Sequence, residues 1–262
     1  MAPVRVLAEV AGVSLDALRA ETAVRHVLQW IQHRETAAVG FVGSWELWQI
    51  RSALRGPSAK PSDLAQSVAL LSRMDLLLPS DAALASALRR SGGLLAQSVE
   101  PAAFIMAILA GLSQGAQGPR APGLGVELPE GSVGVVSAGW AEATAVSDLI
   151  RRTYPVLRLP VIHHYPPEIS DPWSNPGMIP EDLAADCSEA STFFTLLLGS
   201  TAHAPVQSAV ALAHRTGQVV LALSGATLSR LLPREQHRGL RMVASPTPYE
   251  HFRSRIWTRF FA

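Results

Sequence analysis

Apolar residues recur along this chain in two alternating rhythms. Short unbroken runs at Ala37–Phe41, Val133–Val136, Val156–Ile162 and Val219–Leu223 have the length of strands buried on both faces. Between them lie longer stretches with helical spacing. Val13–His33 places Leu15, Leu18, Val24, Leu28 and Ile31 on one side, with Ser14 positioned to cap its start. Trp45–Leu54, Leu64–Leu71 and Pro205–His214 are also predicted helices, as is Trp140–Arg152 with Ala143, Val146 and Ile150 on its apolar face. Pro3–Val10 opens the chain as a further strand, Pro57–Asp63 reads as a loop, and the Gly/Pro-rich Ser113–Glu130 reads as a linker. Strands alternating with helices predict α/β structure with parallel sheets joined by right-handed crossovers.

The same series of elements is written twice. Gln218–Phe252 runs strand, Ser224-Gly225 turn, helix Ala226–Leu232, apolar run Leu240–Ala244, Ser-Pro turn and helix, and Met74–Leu109 follows that order. Upstream, residues 38–56 stand before the first copy as 184–200 stand before the second. The spacing from Ser44 to Asp81 recurs within one residue from Ser188 to Ala226. A repeat of roughly 145 residues is too long for a solenoid unit and predicts two similar open-sheet domains instead of one closed barrel.

Composition narrows the function classes. With 48% hydrophobic and 16% charged residues the chain can fill one large core or two small ones. Net charge is +1, and the basic residues, nearly all Arg, are scattered, so no field for nucleic acid or membrane emerges. The run His251–Phe261 interleaves Arg with aromatics, but at helical spacing it separates into an apolar and a basic face. The single Cys187 excludes a disulfide framework and a cysteine metal site, and no stretch is long and apolar enough to span a bilayer. Met1–Val10 lacks the signature of a signal peptide. A soluble, cytoplasmic monomer without cofactor or metal is expected.

Five pieces in order carry a resemblance: GFVGSWELWQIRSAL, LLLPSDAALASALRRSGGLLAQSVEP, SVGVVSAGWAEATAVSDLIRRTYPVLRLPVIHHYPP, DCSEASTFFTLLLG and VVLALSGATLSRLLPREQHRGLRMVASPTPYEHF. Apolar strands ending in small-residue turns, helices ending near Leu-Gly, and a later Pro, occurring twice, resemble the uroporphyrinogen-III synthase family. The resemblance covers most of the chain from Ala37 onward and rests on order and spacing. It implies two flavodoxin-like or Rossmann-like open parallel-sheet domains flanking a cleft, one formed by residues 12–165 and a discontinuous one by 1–11 and 166–262. The family's opening strand and helix before the segment matched by Pro3–Val10 are absent here, which implies a truncated or remodelled start.

The implied reaction is closure of the linear tetrapyrrole hydroxymethylbilane to uroporphyrinogen III with inversion of the last ring, in the route to heme. Loss of the hydroxyl group leaves an azafulvene, attack at a substituted pyrrole carbon gives a spiro intermediate, and reclosure inverts the ring. The protein's task is then to position a flexible eight-carboxylate substrate, with an acid to help water leave. The family's tyrosine donor falls, on alternative alignments, at Tyr165 or at His163, beside His164. Substrate carboxylates would be met by backbone N–H groups at helix starts, which places binding at Ser44, Ser80, Ser137, Gly139, Ser188, Ser224, Gly225 and Thr227. Trp45, Trp48 and Trp140 begin helices beside these turns and could stack on pyrrole rings.

Two other classes stay open. The usual Thr of the Thr-Ser turn is Gly43 in one copy and Cys187 in the other, and the first Thr-Ala is Asp81-Ala82, which suits a degenerate synthase acting as a binding or regulatory module. A nucleotide-binding enzyme is the third, though no Gly-rich phosphate loop is present.

Overall fold

The computed structural model describes residues 7–10, 12–53, 71–116, 132–137, 139–164, 185–186, 192–198, 204–223 and 230–232. It begins with an antiparallel hairpin, β1 (Leu7–Val10) and β2 (Val13–Asp16), turned at Gly12 with φ 82°. That positive φ suits glycine, and it lets Val10 and Val13 face each other across a tight turn. The helix expected from Val13 therefore begins later, as α1 (Ala20–His33), and Ser14 pairs with Glu9 instead of capping it. The α1 C-terminus closes at Arg34, left-handed at φ 53°, whose backbone N–H returns to Ile31.

From there the chain alternates. The elements are β3 (Ala37–Val42), α2 (Ser44–Ala53), β4 (Leu76–Pro79), α3 (Ala82–Arg90), α4 (Pro101–Ala116), β5 (Ser132–Ser137), α5 (Trp140–Thr153), β6 (Arg158–His164), β7 (Thr192–Leu198), α6 (Ala204–Thr216) and β8 (Val219–Leu223). The last six strands form one open parallel sheet in the order β4-β3-β8-β7-β5-β6. The hairpin sits at the β4 side, where the buried Asp16 carboxylate accepts the Leu77 backbone N–H at 2.8 Å.

Residues alternate between the two faces of this sheet. Ala38, Val42, Leu77, Val136, Val220 and Ala222 join a core with the hairpin, Leu47 of α2, α3 and α6. Ala37, Val39, Leu76, Leu78, Val133, Val135, Phe194, Leu196, Val219 and Leu221 join a second core with α1, α4 and α5. The β3-to-β4 and β7-to-β8 steps run toward one edge, with α2 and α6 on the hairpin face. The β5-to-β6 step runs toward the other edge, with α5 on the opposite face. This is what right-handed crossovers demand of steps in opposite directions.

The sheet corrects the expectation of two separate sheets in 12–165 and in 1–11 with 166–262. Among the described strands, β7 and β8 of the second stretch lie between β3 and β5 of the first, hydrogen-bonded to both sides. The internal repeat fails at two places for local reasons. Residues 192–198, aligned by it with α2, form β7, in which Phe194, Leu196 and Leu198 share one buried face at the period-two spacing of a strand. Leu94–Val99, where the repeat places the counterpart of Leu240–Ala244, forms a turn and irregular chain and no strand: Gly93 N–H reaches Leu88 O, Ala96 N–H reaches Gly93 O, and Leu94 is 80% exposed. Its counterpart at Leu240–Ala244 lies outside the described residues. The α4 helix also continues through Ser113–Ala116, the start of the expected linker, and β6 begins at Arg158 instead of Val156.

Candidate functional site

Pairing register fixes a row along the carboxyl edge of the sheet. Phe41 is opposite Leu78, Leu223 opposite Leu198, Leu198 opposite Ser137, and Ser137 opposite His164. At the middle of this row β7 and β5 are neighbours, and the helices that follow them pack on opposite faces, α6 on one and α5 on the other. A parallel sheet opens a crevice where adjacent strands send their connections to opposite sides, because neither helix covers the gap between the strand ends.

Two turns at this edge share a design. After β3 the sequence Gly43-Ser44-Trp45-Glu46 starts α2, and the Glu46 carboxylate folds back so that its Oε2 accepts the Gly43 N–H at 2.9 Å. A Cβ on Gly43 would stand 2.6 Å from that oxygen and 2.8 Å from Ser80 Oγ, so the glycine makes room for the carboxylate. Asp81, at the start of α3, completes the group. Its Oδ2 accepts the Ser44 N–H at 2.5 Å, and its Oδ1 accepts both the Ser44 hydroxyl and the Leu84 N–H at 2.9 Å. Burial raises the Glu46 pKa above the ordinary carboxylate range. The N–H groups of Glu46 and Gly43 oppose that shift, Asp81 adds to it and Arg230 reduces it.

After β5 the sequence Gly139-Trp140-Ala141-Glu142 starts α5 at the crevice. Glu142 is buried at 8% exposure, and a Cβ on Gly139 would fall 1.8 Å from its Oε2, so this carboxylate also folds back over its glycine. The buried Ser137 hydroxyl accepts the Gly139 N–H at 3.2 Å. Trp140 stands on the rim, 56% exposed. At the β3 turn the half-buried Trp45 and Trp48 stack on each other, ring centroids 4.9 Å apart.

The residues expected to bind substrate fall into two turns and an undescribed remainder. Ser44 after β3 and Ser80 after β4 meet beside Gly43 at neighbouring strand ends, and Ser137 and Gly139 share the β5 turn. His163 and His164 end β6 in register with Val136 and Ser137. Tyr165, Ser188, Ser224, Gly225 and Thr227 lie outside the described residues, and Ser188 precedes β7 in the chain. The N–H groups at the described turns are already engaged, Ser44 by Asp81, Ser80 by the Val42 carbonyl and Gly139 by Ser137. A ligand carboxylate would have to displace them.

Glu46, Asp81 and Glu142 are the site residues that sequence reasoning passed over. The two glutamates carried their signal in Gly-x-x-Glu, the spacing at which a glutamate reaches back to the N–H at a helix start, and Asp81 carried its own as an N-cap residue before Ala82. Among the described residues no group of three or more His, Cys, Asp or Glu could hold a metal ion, and no helix is long and apolar enough to cross a membrane. No protein-family model matches the chain, and no curated protein is similar to it.

Proposed function

We propose that this chain binds a small molecule across the carboxyl ends of β5 and β7. The observation that carries the reading is the departure of α5 and α6 to opposite faces from neighbouring parallel strands. Ser137 and Gly139 floor the crevice, Trp140 offers an exposed ring at its rim, and the end of β6 brings His163 and His164 alongside. Hydrogen-exchange mass spectrometry against a fractionated metabolite extract tests it. Protection concentrated in 134–142 and 195–198 is expected, and a ligand that protects only α2 and α3 would overturn the assignment.

A second reading makes the ligand a tetrapyrrole and the activity uroporphyrinogen III formation. It is supported by the sequence resemblance and by the position of the histidine-bearing end of β6 beside Ser137. On this reading His163 or Tyr165 protonates the departing hydroxyl group, and the crevice holds the chain for ring closure. Incubation with hydroxymethylbilane, followed by isomer analysis, separates the possibilities. Uroporphyrinogen III supports the enzyme, binding without product supports a non-catalytic module, and neither result leaves a different ligand for the crevice.

A further inference from the structure

We infer that Glu46 and Glu142 are selectivity plugs that keep anionic groups off the carboxyl edge of the sheet. The inference rests on the reading that the ligand sits at this edge and goes on to name the charge class it admits. A helix start exposes unpaired N–H groups and carries partial positive charge, which makes it a ready seat for phosphate or carboxylate. Here α2 and α5 each carry their own carboxylate there, three residues after a glycine. The duplication is independent of the pairing between strands, because the two turns lie on β3 and β5, separated by β8 and β7.

The glycines show how closely each plug is fitted. At both turns the space of a Cβ is taken by the glutamate oxygen, 2.6 Å from the Gly43 position and 1.8 Å from the Gly139 position. At the first turn Asp81 adds a second carboxylate on the next N–H, that of Ser44. An incoming anion would meet engaged donors and a like charge within a few ångströms, where repulsion in a partly desolvated site is large. A ligand group at these turns is therefore neutral or cationic, which sets this inference against the tetrapyrrole reading, whose substrate carries eight carboxylates. A cation would be drawn by Glu142.

The test uses inorganic pyrophosphate as probe at fixed ionic strength, with calorimetry for affinity and hydrogen exchange for location. Glu142→Ala opens the α5 start, and Glu142→Gln keeps its shape while removing the charge; Glu46→Ala and Glu46→Gln do the same at α2. Wild type should bind pyrophosphate at least tenfold more weakly than the Ala variants, with new protection at 139–142 or 43–47, as roughly expected for removal of one close like charge. The Gln variants should fall between. Wild-type binding at 139–142 as tight as in the variants would overturn the plug while leaving the crevice as a ligand site. No gain in variants that retain the wild-type unfolding transition would overturn it as well. A gain in the variants, with no small molecule of any charge protecting 134–142 of wild type, would uphold the plug and overturn the crevice reading.

Discussion

Asp81 serves two helices with one carboxylate. Through Oδ1 it caps its own α3 at Leu84, and through both oxygens it holds the backbone and hydroxyl of Ser44 at the start of α2. Removing a cap ordinarily costs about 1 kcal/mol, and leaving a second helix start unsatisfied adds a comparable amount. Asp81→Ala should thus lose about 2 kcal/mol in urea unfolding, while Ser44→Ala loses less, and a double-mutant cycle should show that the two couple. Additive losses would mean that the Ser44 contact contributes nothing. Glu46 carries a pH signature. Its folded-state pKa is raised, so the folded chain holds this proton more readily than the unfolded chain does. Its favourable contribution is complete below the ordinary carboxylate value and is lost as pH rises through the raised one. As pH rises from the ordinary carboxylate value through the raised one, wild type should lose thermal stability relative to Glu46→Gln, which cannot titrate; parallel curves would refute the assignment.

At the scale of elements, the hairpin and the sheet edge depend on each other. β4 is an edge strand of the six-stranded sheet, and an exposed edge strand invites unwanted pairing. Asp16 answers this with a side chain, because its buried carboxylate takes the Leu77 N–H that a further strand would have taken. Asp16→Ala would leave that donor buried without its acceptor, at about 2 kcal/mol. Amide exchange at Leu77 should accelerate in the variant far more than at Leu221 in the middle of the sheet; equal acceleration at both would show global loosening instead. Element identity was largely legible beforehand. Leu28 and Ile31 on the buried face of α1, the buried run Val219–Leu223 and the helix from Trp140 came from local periodicity, which acts within a few residues of the chain, whereas the half-buried Val24 gives its place on that face to Val27. The misreadings fell where local signals tie. Val13–Asp16 suits strand or helix until Gly12 turns it back on β1, and Thr192–Leu198 suits either until it is seen between two strands.

For the whole molecule, strand order decides what can fold alone. A chain of two separate domains would let residues 12–165 fold without the rest. In this sheet β8 and β7 occupy the two central places, so that fragment would retain β4-β3 and β5-β6 as two pairs with nothing between them. Val39, Val135 and their neighbours, fully buried in the whole chain, would face water along the missing strands. The fragment 12–165 should therefore show no cooperative thermal transition, whereas adding 185–223 in trans should restore one; a cooperative fragment with native amide protection would contradict the single sheet.

The sequence alone determined the alternation of strands and helices, the parallel class, and the small-residue turns that end the strands, because each depends on residues close together in the chain. The glycines at 43 and 139 and the glutamates three residues later were also readable there, though their reach back to the turn had to be seen in space. Tertiary structure alone decided which strand lies beside which. Strands buried on both faces are interchangeable in apolar content, so Val219–Leu223 carries no local mark that it will pair with Ala37–Val39 on one side and Phe194–Leu198 on the other. That same order made β5 and β7 neighbours with their helices on opposite faces and brought Asp81 to Ser44 across 37 residues, since both follow from long-range packing that no short window of sequence contains.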